Sequence, residues 1–192
     1  MLNNFRDSLK PYLEKLGNSF AATGLSPNFW TAVGLGFAFL SAVVYGLNSQ
    51  IQLAAIIGGI LLLVSGFFDV VDGQVARVTK KVSKKGGFLD SVFDKIAEVA
   101  IFLGLLVGGF AEPYLVFLAI TLSLLVSYAR SRAESLGVKL EGIGIGERAE
   151  RLLVIAIIGM AGFMQYAIII VIIIAAITFI QRIAITAKNI QE

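Results

Sequence analysis

The chain has 192 residues, 57% of them hydrophobic and 15% charged, with a formal net charge of +3. Soluble domains are usually under half apolar and about a quarter charged, so this composition points to a membrane protein. Cysteine and histidine are both absent. That excludes disulfides, thiolate nucleophiles, zinc–thiolate sites and imidazole bases, and leaves acid–base and metal chemistry to carboxylates.

The N-terminal arm is amphipathic, with no basic flank leading into an apolar core, so no cleavable signal peptide is expected. Leu2, Phe5, Leu9, Leu13, Leu16 and Phe20 recur at three- and four-residue spacing, with charged residues between them. This stripe predicts a helix over 1–24 lying in the membrane interface, bent or broken at Pro11. Nearly charge-free blocks follow at about 28–48, 51–68, 97–111, 113–129, 152–164 and 166–181; a span takes about 20 such residues, or fewer when flanking residues reach the interface. The fold class expected is all-α and membrane-integral: a single domain with a six-helix bundle over 28–189. Gly86 and Gly87 are expected to open the third of these helices, and a glycine-rich loop over 137–146 to precede the fifth.

All sixteen basic residues fall in the N-terminal arm, around 77–95, around 130–151 or after Gln181. The positive-inside rule puts these segments and both termini in the cytoplasm of a multi-pass cell-membrane protein, and six spans satisfy that topology. The lysines at 80, 81, 84 and 85 read as topology and headgroup charges. The positive charge needs no nucleic acid to explain it.

The acids carry the chemistry. Asp69 and Asp72 are three apart on one helix, with Gly73 and Ala76 on the same stripe; Asp90 and Asp94 are four apart on the next helix. Two helices joined by a short basic loop can bring these faces together. Four neighbouring carboxylates need counter-charge, and hard divalent cations such as Mg²⁺, Mn²⁺ or Ca²⁺ supply it. Two such ions could clamp a pyrophosphate. Gly73 and Gly86 leave room for a ligand or a neighbouring backbone, and Arg77 and Ser83 could donate to phosphate oxygens. Glu98 and Glu112, single acids near helix ends, read as solvated interface.

Written out, the string is Asp69-x-x-Asp72-Gly73-x-x-Ala76-Arg77, eight residues, then Gly86-x-x-x-Asp90-x-x-x-Asp94. It resembles the signature of the CDP-alcohol phosphotransferase family at every position. The resemblance implies attack by an alcohol on the β-phosphorus of a CDP-linked lipid, CDP-diacylglycerol or CDP-archaeol, with release of CMP. It implies two Mg²⁺ or Mn²⁺ ions on Asp69, Asp72, Asp90 and Asp94, with Asp94 also the general base. It implies nucleotide contacts from Asn28, Thr31, Asp69, Gly73, Arg77, Ser83 and Gly86, and a homodimer. The segments SYARSRAESLG and GERAERL further resemble phosphatidylinositol-phosphate and archaetidylinositol-phosphate synthases. That implies inositol 1-phosphate as acceptor, its phosphate held by Arg130, by Arg148 or Arg151, and by Arg182.

Alternatives stay open from sequence alone. Glycerol 3-phosphate would use a similar pocket, whereas serine would leave the arginines without a purpose. Intramembrane acids can also mark a divalent-cation transporter. The arginines could be topology charges, with Arg148 and Arg151 paired to Glu147 and Glu150, and Arg132 to Glu134.

Overall fold

The computed structural model describes residues 2–47, 52–140 and 142–190, with side chains from Lys10 onward. The apolar positions Leu2, Phe5 and Leu9, the link at 48–51 and Glu141 therefore lie outside the described residues or side chains. The described chain is all-helical: α1 (Leu2–Ala21), α2 (Pro27–Leu47), α3 (Gln52–Val78), α4 (Lys84–Val107), α5 (Pro113–Ser135), α6 (Arg148–Met160) and α7 (Met164–Asn189).

Local chemistry explains where these helices begin and end. Ser83 caps α4, its hydroxyl accepting from the Gly86 amide at 3.0 Å. The helix therefore starts ahead of Gly86, which sits in its first turn. Pro113 opens α5, where its missing N–H costs nothing. Glu147 and Glu150 form a capping box at the start of α6. The C-terminal end of α3 closes with the Lys81 amide donating back to the Ala76 carbonyl, which puts Lys80 at φ 55.

Pro11 does not break α1. Losing one backbone bond is offset by packing on α3, toward which Leu13, Leu16, Gly17 and Phe20 turn. Gly17 lies so close to Gln74 that an added Cβ would sit 3.0 Å from the Gln74 Cβ. Phe20 meets Trp30 edge-on at 4.9 Å, and Trp30 stacks on Phe68 at 5.7 Å, tying α1 to α2 and α3. The described part of the apolar stripe is thus spent against protein.

α2, α3 and α4 form the tightest part of the molecule. Ser41 donates to the Gly58 carbonyl at 2.7 Å and Ser65 to the Gly34 carbonyl at 2.8 Å, both across the α2–α3 contact. Gly104 lets α4 approach the backbone of α2 at Ala42. Small residues at such crossings are how apolar helices associate where lipid is as greasy as protein. Large apolar side chains such as Phe39, Leu40, Ile57, Leu103, Phe117, Ile173 and Ile180 face outward, as a lipid-facing perimeter requires.

Four helices, α2, α3, α5 and α7, are long and apolar enough to cross a membrane. α4 has the length, 24 residues, but Asp90, Asp94, Lys95 and Glu98 break its apolar run. α6 has 13 residues, about 20 Å at 1.5 Å per residue against a hydrocarbon core of about 30 Å.

Candidate active site

The C-terminal turns of α3 and the N-terminal turns of α4 meet at one end of the bundle. Asp69, Asp90 and Asp94 each present an oxygen there, and the three lie within 4.8 Å of one another. Asp72 stands beside this trio. Three residues along a helix bring it round by some 60° and about 4.5 Å along the axis, so it faces α2 in a narrow cleft with Thr31, Gly34 and Ser65, which Asp69, Asp94 and Arg148 also line. The structure thus converges three of the four aspartates on one point and buries the fourth next to them, 6% exposed.

These residues fit a hard divalent cation. The donors are carboxylate oxygens alone, and two of them, Asp72 Oδ2 and Asp90 Oδ1, are buried without a hydrogen-bond partner. Buried acceptors left open in this way are costly unless a cation or proton satisfies them. Within the protein the nearest counter-charge is Arg148, whose Nη1 lies 2.6 Å from Asp94 Oδ1 and 3.2 Å from Asp69 Oδ1. Its Nε is buried with no partner.

Beside the trio opens a cavity of about 430 Å³ whose walls come from α3, α4, α5, α6 and α7. All four arginines anticipated for an acceptor phosphate, Arg130, Arg148, Arg151 and Arg182, line it together with Asp69, Asp90 and Asp94. The charge pairings differ from those expected. Arg130 bonds Glu134 at 2.8 Å, because residues four apart share a helix face whereas 132 and 134 do not. Glu147 and Glu150 close the capping box on each other, so Arg148 and Arg151 turn toward acids of other helices. Arg182, 3% exposed, donates from Nε to the Ile143 carbonyl at 3.2 Å and from Nη1 to the Val126 carbonyl at 2.8 Å.

Glu98 is not solvated interface. It is fully buried and accepts from Arg151 through Nε at 3.1 Å and Nη2 at 2.6 Å, while Arg151 Nη1 donates to the Gly146 carbonyl at 2.6 Å. Three of Arg151's five N–H groups are so engaged, leaving one on each terminal nitrogen. Sequence reading also missed Lys95, Ser127 and Ser131 in the cavity wall. Ser127 and Ser131 are four apart on α5 beside Arg130, a helical stripe that could have suggested them.

The anticipated nucleotide residues are more scattered. Asn28 is exposed at the start of α2, and Thr31 sits in the cleft with Asp72. Gly73 has no neighbour within 4 Å of a would-be Cβ, so that face of α3 is open. Arg77 is exposed and lines a different groove, between α1 and α3, with Lys10, Glu14 and Gln74. The hydroxyl of Ser83 is occupied in capping α4 through Gly86.

The model of the CDP-alcohol phosphatidyltransferase family matches residues 25–185, which include every residue anticipated for the site. The chain belongs to the CDP-alcohol phosphatidyltransferase family. Among its relatives, the archaetidylinositol phosphate synthase of Pyrococcus horikoshii is 38% identical over 191 residues, covering 100% of this chain and 99% of that one. The enzyme of the same name from Methanothermobacter thermautotrophicus is 37% identical, covering 95% of this chain and 92% of its own. In fold, the chain is similar to the phosphatidylinositol phosphate synthase of Mycobacterium tuberculosis in complex with manganese and citrate. That structure has a TM-score of 0.79 at 22% identity and covers 91% of this chain and 88% of its own. The same protein with CDP-DAG bound gives 0.78. The chain is accordingly a membrane transferase of phospholipid biosynthesis, with an aspartate cluster whose oxygens could hold a divalent metal.

Proposed function

We propose that the protein transfers the phosphatidyl or archaetidyl group of a CDP-linked lipid to inositol 1-phosphate, releasing CMP. The observation that carries this reading is the adjacency of the aspartate trio to a cavity walled by four arginines. An acceptor with a dianionic phosphate needs such a wall, and planar guanidinium forks suit phosphate oxygens better than ammonium groups do. The names of the archaeal relatives point the same way.

In this reading Asp69, Asp72, Asp90 and Asp94 hold two divalent ions, Mg²⁺ or Mn²⁺. Bound there, the ions would supply positive charge to the pyrophosphate oxygens. Asp94, at the border between trio and cavity, takes the proton of the inositol hydroxyl. The freed oxygen bonds to the β-phosphorus, the bridge from that phosphorus to the CMP oxygen breaks, and CMP leaves with the electron pair. Arg130, Arg148, Arg151 and Arg182 hold the acceptor phosphate. Asn28, Thr31, Asp69, Gly73, Arg77, Ser83 and Gly86 serve the nucleotide, with Arg77 reaching it only by turning out of the α1–α3 groove and Ser83 only by leaving its cap contact.

The same reading has the chain fold as one domain, with α2 to α7 each crossing the membrane and α1 lying at the cytoplasmic interface. The site then opens to the cytoplasm, both termini lie there, and two copies form a homodimer. Cation transport draws no support from the site: the acids of α3 and α4 gather at one end of the bundle, and a transport path would need them near the midplane.

The test is CMP release by purified protein in detergent, supplied with CDP-archaeol or CDP-diacylglycerol and Mg²⁺ or Mn²⁺. Inositol 1-phosphate, free inositol, glycerol 3-phosphate and serine are offered in parallel. Turnover with inositol 1-phosphate that disappears on chelation and returns with either ion supports the reading. Turnover with glycerol 3-phosphate alone would keep the arginine wall and change the acceptor, serine alone would discard the wall, and metal flux in liposomes without CMP release would discard the transferase.

A further inference from the structure

Glu98 has no part in the chemistry described so far, yet it is a fully buried acid on α4, paired with the cavity-lining Arg151. It lies one turn beyond Asp94 on α4, and Arg151 lies one turn beyond Arg148 on α6. Asp94–Arg148 and Glu98–Arg151 are therefore two rungs of one ladder, each closed at 2.6 Å. The α4 and α6 backbones do not themselves pack closely, so the two helices meet through side chains, the rungs among them. The outer rung uses oxygens of Asp69 and Asp94 that a divalent ion would claim. The inner rung uses none of them.

We propose that Glu98 is a positioning residue for the acceptor site, acting through Arg151. Its Oε1 accepts from both Nε and Nη2, which sets the plane of the guanidinium, and the Gly146 carbonyl fixes the third direction through Nη1. The two remaining N–H groups of Arg151 are thereby held in fixed directions. The same contacts pin Gly146, the last residue before the α6 cap, so Arg148 emerges from a fixed helix start. This inference rests on the cavity being the acceptor-phosphate site.

Charge and position make opposite predictions. Neutralising Glu98 removes a negative charge from behind the cavity-lining Arg151, which by charge alone would tighten binding of a phosphate. Loss of positioning loosens it. Glu98→Gln is expected to raise the KM for inositol 1-phosphate about tenfold, with KM for the CDP-lipid and kcat at saturating acceptor held within about threefold. Glu98→Asp, which keeps the charge, should recover part of that loss. Amide hydrogen exchange across 146–151 should quicken in Glu98→Gln without a matching change in α2 or α3.

An acceptor KM unchanged or lowered in Glu98→Gln overturns the inference, as does a parallel loss in both substrates. If Glu98→Gln has no melting transition, Glu98→Asp carries the test: an acceptor KM raised at least about threefold with an unaltered CDP-lipid KM supports positioning, and equal changes overturn it. A wild-type protein that turns over no phosphorylated acceptor would overturn this inference together with the functional reading. One that uses such an acceptor, with Glu98→Gln unaffected, overturns this inference alone.

Discussion

Replacing Arg151 with Met strips the Glu98 carboxylate of its two close donors and leaves Gly146 O without Nη1. Arg151 is 1% exposed and Glu98 fully buried, so water cannot enter to compensate without opening the α4–α6 contact. Removing one partner of a buried, hydrogen-bonded pair costs about 3–5 kcal/mol, whereas replacing both by apolar groups of similar volume is often neutral or stabilising. For a chain of this size each kcal/mol moves the melting temperature by about 2–4 °C, so Arg151→Met should melt about 6–20 °C below wild type. The double variant Glu98→Leu/Arg151→Met should recover most of that loss. Far-UV circular dichroism of the detergent-solubilised proteins, heated at one scan rate, gives the comparison. A single variant melting within about 2 °C of wild type, or a double variant melting no higher than the single, would refute the argument that an uncompensated buried charge is the cost.

Three further expectations follow from the site and the packing. Asp94→Asn should lower CMP release by about a hundredfold or more while leaving the melting temperature near wild type; retention of more than a tenth of the activity would take the base role from Asp94. Arg148→Ala removes the cation that shares oxygens of Asp69 and Asp94, so Mn²⁺ titrated by electron paramagnetic resonance should bind several-fold tighter while the acceptor KM rises about tenfold. Weaker Mn²⁺ binding would count against that competition. Gly104→Ala would drive a Cβ into the Ala42 carbonyl of α2 and should cost about 1–3 kcal/mol, whereas Gly66→Ala, with open space around it, should gain up to about 1 kcal/mol from helix propensity. Equal melting temperatures for these two variants would contradict the close α2–α4 approach.

The aspartate site was legible because helical spacing converts directly into shared faces: Asp69 with Asp72, and Asp90 with Asp94, are one turn apart whatever surrounds them. The apolar blocks were legible for a related reason, since an unbroken greasy run has few alternatives to a helix in a bilayer. The charge-pair pattern was not. Which acid Arg148 or Arg151 would choose depends on which helices meet, and the local pairs with Glu147 and Glu150 stay open until α3, α4 and α6 converge, whereas Arg130–Glu134 follows from i,i+4 spacing within α5. Glu98 shows the limit most plainly: as a single acid near a helix end it resembled interface, and its burial rests on Arg151 arriving from 53 residues away, with Lys95 3.9 Å off on the same helix.

The sequence by itself determined the membrane class, the helical elements and the chemical type of the site, because composition, periodicity and a fixed string of aspartates each act locally along the chain. Tertiary structure alone decided that Asp72 is buried in a cleft against α2 beside the other aspartates and that four arginines from α5, α6 and α7 share one cavity. It also decided that the described part of the α1 stripe is covered by α3. Those outcomes depend on helix rotation and contact across the bundle, and a one-dimensional pattern carries no information on how far each helix turns about its own axis.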